Sequence, residues 1–196
     1  MEVMLHPKSS HILSTKTLSL IAIMVALNLA SNYALITVPN VKFMDLFVFV
    51  SGYLMGALPG ALVGALTWLV YGTLNPYGFD LPIFIACIIG ESLYGVAGGL
   101  LIELKSLNLE MSSNRLDNAG FWANNLKFGI LGFLLTFVYD LLTNAAISLV
   151  YGSPLPIVIM TGGVFAIIHE VSNFLFFFFG CSPLILTIKK IMFERR

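Results

Sequence analysis

The stretch LPIFIACIIGESLYGVAGGLLI, residues 81–102, decides the fold of this chain. Glu91 is its only charged residue, and about 20 predominantly apolar residues in a helix are enough to cross the hydrocarbon core of a bilayer. The whole chain has the same character. Of its 196 residues, 58% are hydrophobic and only 10% are charged, whereas soluble domains carry roughly 25% charged residues. The sequence therefore predicts an integral membrane protein.

Five further apolar stretches accompany this one, at residues 17–36, 43–58, 60–74, 126–150 and 157–181. We therefore predict an all-α integral membrane protein, a bundle of six transmembrane helices within residues 17–181. Pro59 separates the second and third stretches, and its fixed ring and missing N–H favour a helix break at that point. The pattern indicates a single membrane domain over residues 1–196.

The positive charges predict the orientation, because Lys and Arg accumulate in the cytoplasmic loops of membrane proteins. Six crossings with both termini in the cytoplasm place nine of the ten basic residues inside and only Lys42 outside. The cytoplasmic parts are then the N-terminal arm (residues 1–16), the polar loop (103–125) and the basic tail (187–196). We expect a multi-pass protein of the cell (cytoplasmic) membrane, in contact with the lipid bilayer.

Charge and cysteine content exclude several classes of protein. The formal net charge is zero, so the chain lacks the basic field that a nucleic-acid partner requires. Cys87 and Cys181 both lie in apolar stretches, where cysteine behaves as a small packing residue. We expect no nucleic acid, no metal site and no cofactor.

Several ionisable residues fall near the middle of predicted helices: Glu91, Asp140, Glu170 and the neighbouring His169. An acid at the bilayer centre costs roughly 2.5–3.5 kcal/mol if it is charged and unpaired. Such residues either hydrogen-bond between helices or face a cavity that receives a solute. Both interpretations stay open. They also apply to polar residues one helical turn away on the same faces, which include Tyr94, Thr136, Asn144 and Asn173. Trp68 and Tyr71 form a further pair with this spacing.

A second polar cluster is expected at the outer ends of the helices, from loops that contain residues such as Asp80 and Tyr151. Aromatic and hydrogen-bonding side chains together suit a small polar ligand. Interfacial belts of Tyr and Trp, and a turn at Asn-Pro-Tyr-Gly, explain the same residues without a ligand. The residues that we predict to bind substrate are Asn32, Asn40, Lys42 and Asp45 near the first outer loop, Trp68, Tyr71, Asn75 and Tyr77 near the second, and Glu91, Tyr94, Asp140, Asn144, His169 and Glu170 within the helices.

Four segments resemble the substrate-binding S components of energy-coupling factor (ECF) transporters. They are VPNVK (38–42), GYLMGALPGALVGAL (52–66), YDLLTN (139–144) and HEVSN (169–173). The resemblance implies a six-helix subunit that binds a vitamin or related micronutrient near its outer face. It also implies docking onto an ECF transmembrane coupling subunit that carries two cytoplasmic ATPases. In that family an Ala-x-x-x-Ala stripe on the first helix contacts the coupling subunit, and Ala22, Ala26 and Ala30 fit this pattern.

The resemblance implies a capture subunit that is not an enzyme, and the chain has no G-x-x-x-x-G-K-[ST] loop for ATP. The acid-rich interior with one outer lysine favours a cationic or hydrogen-bond-rich ligand over an anion. Three alternatives remain: a membrane scaffold or assembly protein, a stand-alone secondary transporter, and an intramembrane metalloprotease built on His169, Asn173 and Glu91. A protease of this kind is expected to have a second intramembrane histidine. This sequence has none, because His6 and His11 lie in the polar arm.

Overall fold

The computed structural model describes residues 13–76, 78–104 and 119–193. Over these ranges it contains six α-helices and no strand, which confirms the all-α class. The helices are α1 (Thr15–Ala34), α2 (Met44–Met55), α3 (Ala57–Leu74), α4 (Leu81–Glu103), α5 (Ala119–Tyr151) and α6 (Leu155–Phe193). Most of the predicted N-terminal arm, most of the predicted polar loop, Tyr77 and residues 194–196 lie outside the described residues.

Five of these helices, α1 and α3 to α6, are long and apolar enough to cross a membrane. The remaining helix, α2, has 12 residues and is therefore about 18 Å long. This length is shorter than the roughly 30 Å of a bilayer's hydrocarbon core. The structure thus supports a multi-pass membrane protein, and the count of six crossings stays a prediction.

The break between α2 and α3 lies at Gly56, so the predicted break at Pro59 is wrong. Gly56 has a φ of 98°, which side-chain-bearing residues rarely adopt. Its N–H donates to the carbonyl of Gly52 at 2.7 Å and closes the end of α2. Pro59 instead lies in the first turn of α3, where a missing N–H removes no helical hydrogen bond.

Two helices extend beyond the predicted apolar stretches. The first turns of α5 include residues 119–125, which the sequence places in an aqueous loop, and Asn125 is 1% exposed where it accepts a hydrogen bond from the Ser182 hydroxyl. Helix α6 continues through Pro183 and includes residues 187–193 of the predicted tail. Burial of Ile185 and Leu186 explains this continuation, because packing against the bundle stabilises the helix past the proline.

Glycines hold α2, α3 and α4 together at the centre of the bundle. A side chain at Gly95 of α4 would overlap the backbone of α3 at Gly60 and Ala61, and one at Gly52 of α2 would overlap Gly95. Small residues allow helix backbones in membranes to approach closely and gain packing contacts. The closely packed α2–α4 core therefore positions the end of α3 and the start of α4 relative to each other.

Candidate functional site

A cavity of about 650 Å³ lies at one end of the bundle. Ligand pockets typically have volumes of about 300–1,000 Å³. Its walls come from the end of α1 and the loop that follows, the last turns of α3, the start of α4, Tyr151 at the end of α5 and Phe165 on α6. Six predicted substrate-binding residues line it, namely Asn32, Asn40, Lys42, Trp68, Tyr71 and Asn75.

The aromatic wall of the cavity is formed by Trp68 and Tyr71, which lie one turn apart on α3. Both residues are almost fully buried, and their rings are 5.5 Å apart at an interplanar angle of 80°. Tyr33 of α1 meets Tyr71 at 5.7 Å in a second edge contact. Edge-to-face pairs are a favoured geometry for aromatic rings, so this wall is preformed.

Lys42 brings the cavity's positive charge to this aromatic wall. Its Nζ atom lies 5.3 Å from the centroid of the Trp68 ring and 5.9 Å from that of Tyr71, within the range of cation–π attraction. On the edge of the indole, Nε1 of Trp68 donates a hydrogen bond to Oε2 of Glu91 at 3.3 Å. Glu91 is fully buried, and its Oε1 atom has no hydrogen-bond partner.

Asparagine side chains fix the mouth of the cavity, and one of their oxygens has no hydrogen-bond partner. Asn40 adopts a φ of 55° and donates from Nδ2 to the carbonyl of Phe165 at 3.1 Å, which ties the first loop to α6. Asn75 donates to the carbonyl of Gly72 at 2.8 Å. Asn32 is buried, and its Nδ2 contacts the weak acceptor Sδ of Met44 while Oδ1 has no partner. Oδ1 of Asn32 is therefore a buried acceptor without a partner on a residue that lines the cavity.

His169 lies between two buried carboxylates. Its Nε2 is 2.9 Å from Oδ2 of Asp45, and its Nδ1 is 2.9 Å from Oδ1 of Asp140. A neutral imidazole has only one N–H, so with both aspartates ionised the two contacts are hydrogen bonds only when the ring is an imidazolium. All three residues are at most 8% exposed, and together they form an ion-paired triad that joins α2, α5 and α6.

The triad continues into a hydrogen-bonded network. Asn173 donates from Nδ2 to Oδ2 of Asp45 and to Oγ1 of Thr136, and the Tyr94 hydroxyl donates to the same Thr136 oxygen at 2.8 Å. These bonds add α4 to the three helices already joined. Four predicted substrate-binding residues, Asp45, Tyr94, Asp140 and His169, thus contact one another or Thr136 and do not line the cavity. This arrangement matches the interhelical interpretation.

Asp45 is not in the first outer loop, where the sequence pattern predicts it. It lies in the first turn of α2 and is 1% exposed. Two physical effects favour this position. The N-terminal end of a helix stabilises a carboxylate, and His169 and Asn173 supply donors to it.

Residues 12–190 match a protein family described as "ECF-type riboflavin transporter, S component". The chain belongs to this family. The match covers all six helices almost completely and confirms the resemblance to ECF S components drawn from the sequence. No curated protein and no solved structure matches the chain. The family is a transporter component and not a class of enzymes.

Three further predicted residues, in addition to Asp45, Tyr94, Asp140 and His169, do not line the cavity of this S component. Glu91 is fully buried, and Asn144 and Glu170 are partly exposed. Tyr77 lies outside the described residues. The triad resembles a set of metal ligands, but within residues 13–76, 78–104 and 119–193 no group of three His, Cys, Asp or Glu side chains is placed to hold a metal ion.

Most of the apolar lining of this S component is not predicted by the sequence. Those residues are Leu35, Ile36, Val38, Val41, Phe79, Ile83, Phe84 and Phe165. All but Phe165 lie within the loops or the first two turns of helix at the cavity end. When successive helices run in opposite directions, these segments all lie at the same end of the bundle. That shared position is the feature of the sequence that could have identified them. Asp80, which also lines the cavity, caps α4 by accepting from the N–H of Ile83.

Proposed function

We propose that this S component captures riboflavin in the cavity for uptake by an ECF importer. One observation carries the proposal: an aromatic wall of Trp68 and Tyr71 shares a single cavity with the amide of Asn32 and the ammonium of Lys42. Riboflavin combines a planar heteroaromatic ring with carbonyl groups and a polyhydroxyl chain. Ligands of this kind are held by apolar walls and a few placed polar groups. The family's own description names the same ligand.

Titration of purified protein with riboflavin tests the proposal through the fluorescence of the flavin ring. Stacking against the Trp68–Tyr71 wall should quench that fluorescence, and Trp68→Leu should remove most of the quenching and weaken binding. Trp122→Phe is the matched control. Trp122 stacks on Phe178 near the start of α5, whereas the cavity meets the other end of this helix at Tyr151, about 44 Å away along the axis. Absence of riboflavin binding by the wild-type protein would overturn the proposal.

The exposed alanine stripe of α1 supports docking to an ECF transmembrane coupling subunit with two cytoplasmic ATPases. Ala22, Ala26 and Ala30 are all exposed, whereas Ile21 and Met24 face the bundle. A row of small residues every four positions lets another helix approach closely. In this proposal the stripe is the docking surface, and the ATPases supply the energy for import.

The proposed topology has six crossings, cytoplasmic termini and the cavity on the outer side. Lys42 is at the cavity end, while Lys16, Lys189 and Lys190 lie at the opposite ends of α1 and α6, as the positive-inside pattern requires. Cysteine labelling with a membrane-impermeant maleimide tests it. Pro76→Cys should react in intact cells, and Thr15→Cys only after permeabilisation. The reverse pattern would overturn this orientation.

A further inference from the structure

The aromatic wall of the cavity has the components of a site for a cation. Trp68 and Tyr71 present two ring surfaces at 80° to each other, and the buried carboxylate of Glu91 accepts a hydrogen bond from the same indole. Aromatic faces are the groups that recognise quaternary ammonium ligands. Without Lys42, the two aromatic faces of Trp68 and Tyr71 would therefore favour a positively charged ligand.

Lys42 already supplies that positive charge from the protein itself. Its ammonium lies within 6 Å of both ring centroids, and its position is fixed by neighbours on both sides. Asn40 is hydrogen-bonded to α6, and α2 begins two residues after Lys42, at Met44. Among the described residues that line the cavity, Lys42 is the only lysine or arginine.

We propose that Lys42 determines the charge selectivity of the cavity: it excludes monocationic ligands and admits neutral rings that carry hydrogen-bond acceptors. A cationic ligand would need the position that the Lys42 ammonium already occupies, and like-charge repulsion would weaken its binding. A neutral ring can stack on the wall while its carbonyl accepts a hydrogen bond from Nζ, which carries three N–H donors. This inference rests on the proposed function, since it assigns ligand capture to the same cavity.

A pair of isosteric probes tests the proposal, namely choline and its neutral analogue 3,3-dimethylbutan-1-ol. The Trp122→Phe background leaves Trp68 as the only tryptophan, so its fluorescence reports binding at the wall. In the Lys42→Met variant the affinity for choline relative to the alcohol should rise about tenfold or more over the background protein. An unchanged ratio, or choline binding to the background protein as strongly as to Lys42→Met, would overturn the proposal.

Two further variants separate charge selectivity from general damage to the cavity. Lys42→Arg retains the positive charge and should still discriminate against choline. The double variant Lys42→Met with Tyr71→Leu should lose most of the choline affinity that Lys42→Met gains, because one of the two aromatic faces is gone while Trp68 still reports binding. Should Lys42→Met fail to fold, Lys42→Gln provides the same neutral position. Riboflavin is titrated in parallel: its failure to bind would overturn the proposed function, while the choline ratio still decides the selectivity.

Discussion

Nε2 of His169 on α6 lies 2.9 Å from Oδ2 of Asp45 on α2, although the two residues are 124 positions apart in the chain. This contact joins α2, which is shorter than a bilayer is thick, to the longest helix of the bundle. Asp140 of α5 holds the opposite nitrogen of the same ring. The triad therefore positions Asp45 in the first turn of α2, three residues after Lys42, which lines the cavity.

Replacement of His169 by Ala should destabilise the protein strongly. The change leaves Asp45 and Asp140 buried without their shared cation, and breaking a buried ion pair from one side costs about 3–5 kcal/mol. The apparent melting temperature of the purified protein in detergent checks this expectation. The neighbouring Glu170→Ala variant is the control, because Glu170 is partly exposed and does not belong to the network. Equal melting temperatures for the two variants would contradict the role given to the triad.

The same substitution at two glycines should have opposite effects. Gly95→Ala places a methyl group against the backbone of Gly60 and Ala61, and overpacking of this kind costs about 1–3 kcal/mol or more. Gly163→Ala places the methyl group where no atom lies within 4 Å, and alanine is favoured over glycine within a helix by about 1 kcal/mol. Thermal denaturation in detergent measures both variants. Tolerance of Gly95→Ala would refute the tight α3–α4 packing.

Two asparagines one turn apart on α1 should separate ligand binding from stability. Asn32 lines the cavity with an unpaired Oδ1, so Asn32→Ala should weaken riboflavin binding roughly tenfold, because an unpaired buried donor costs about 1–3 kcal/mol. Asn28 is buried against Thr67 and does not line the cavity. Asn28→Ala should lower the melting temperature and leave the dissociation constant of riboflavin within about twofold of wild type, that is, within about 0.4 kcal/mol. Equal losses of affinity in the two variants would argue against a ligand contact by Asn32.

The class of fold could be predicted from the sequence because apolar length determines where helices form in a membrane. The positions of the helix ends could not be predicted in this way. Gly56, whose positive φ breaks the chain, is a weaker signal in the sequence than Pro59, which the first turn of α3 accommodates. Burial of Asn125 and Ile185 extends α5 and α6 beyond their apolar stretches. Tertiary packing of this kind produces no periodic pattern in the local sequence from which the extension could be predicted.

The site was predictable in part for a similar reason. Spacing within a helix places Trp68 and Tyr71 on one face, and the structure brings both into the cavity. Spacing within one helix does not determine which residues of another helix that face contacts. The pairing of His169 with Asp45 therefore could not be predicted from spacing, and substrate binding by these two residues stays a prediction.

Substitution within the alanine stripe should separate riboflavin binding from riboflavin uptake. In Ala26→Phe a large ring projects from the exposed face of α1 and prevents the close helix approach that small residues permit. Purified Ala26→Phe should bind riboflavin as wild type does, because its position does not line the cavity. Cells that express it together with the coupling subunit and ATPases should take up little riboflavin.

Leu134→Phe is the matched control for this variant, since Leu134 is 52% exposed on α5 and lies outside the stripe. Its uptake should equal that of wild type when the two proteins are present in the membrane at equal amounts. Normal uptake by Ala26→Phe would show that the coupling subunit approaches a different face of the bundle. Loss of riboflavin binding by purified Ala26→Phe would show that α1 transmits the substitution to the cavity and would remove the evidence for a separate docking surface.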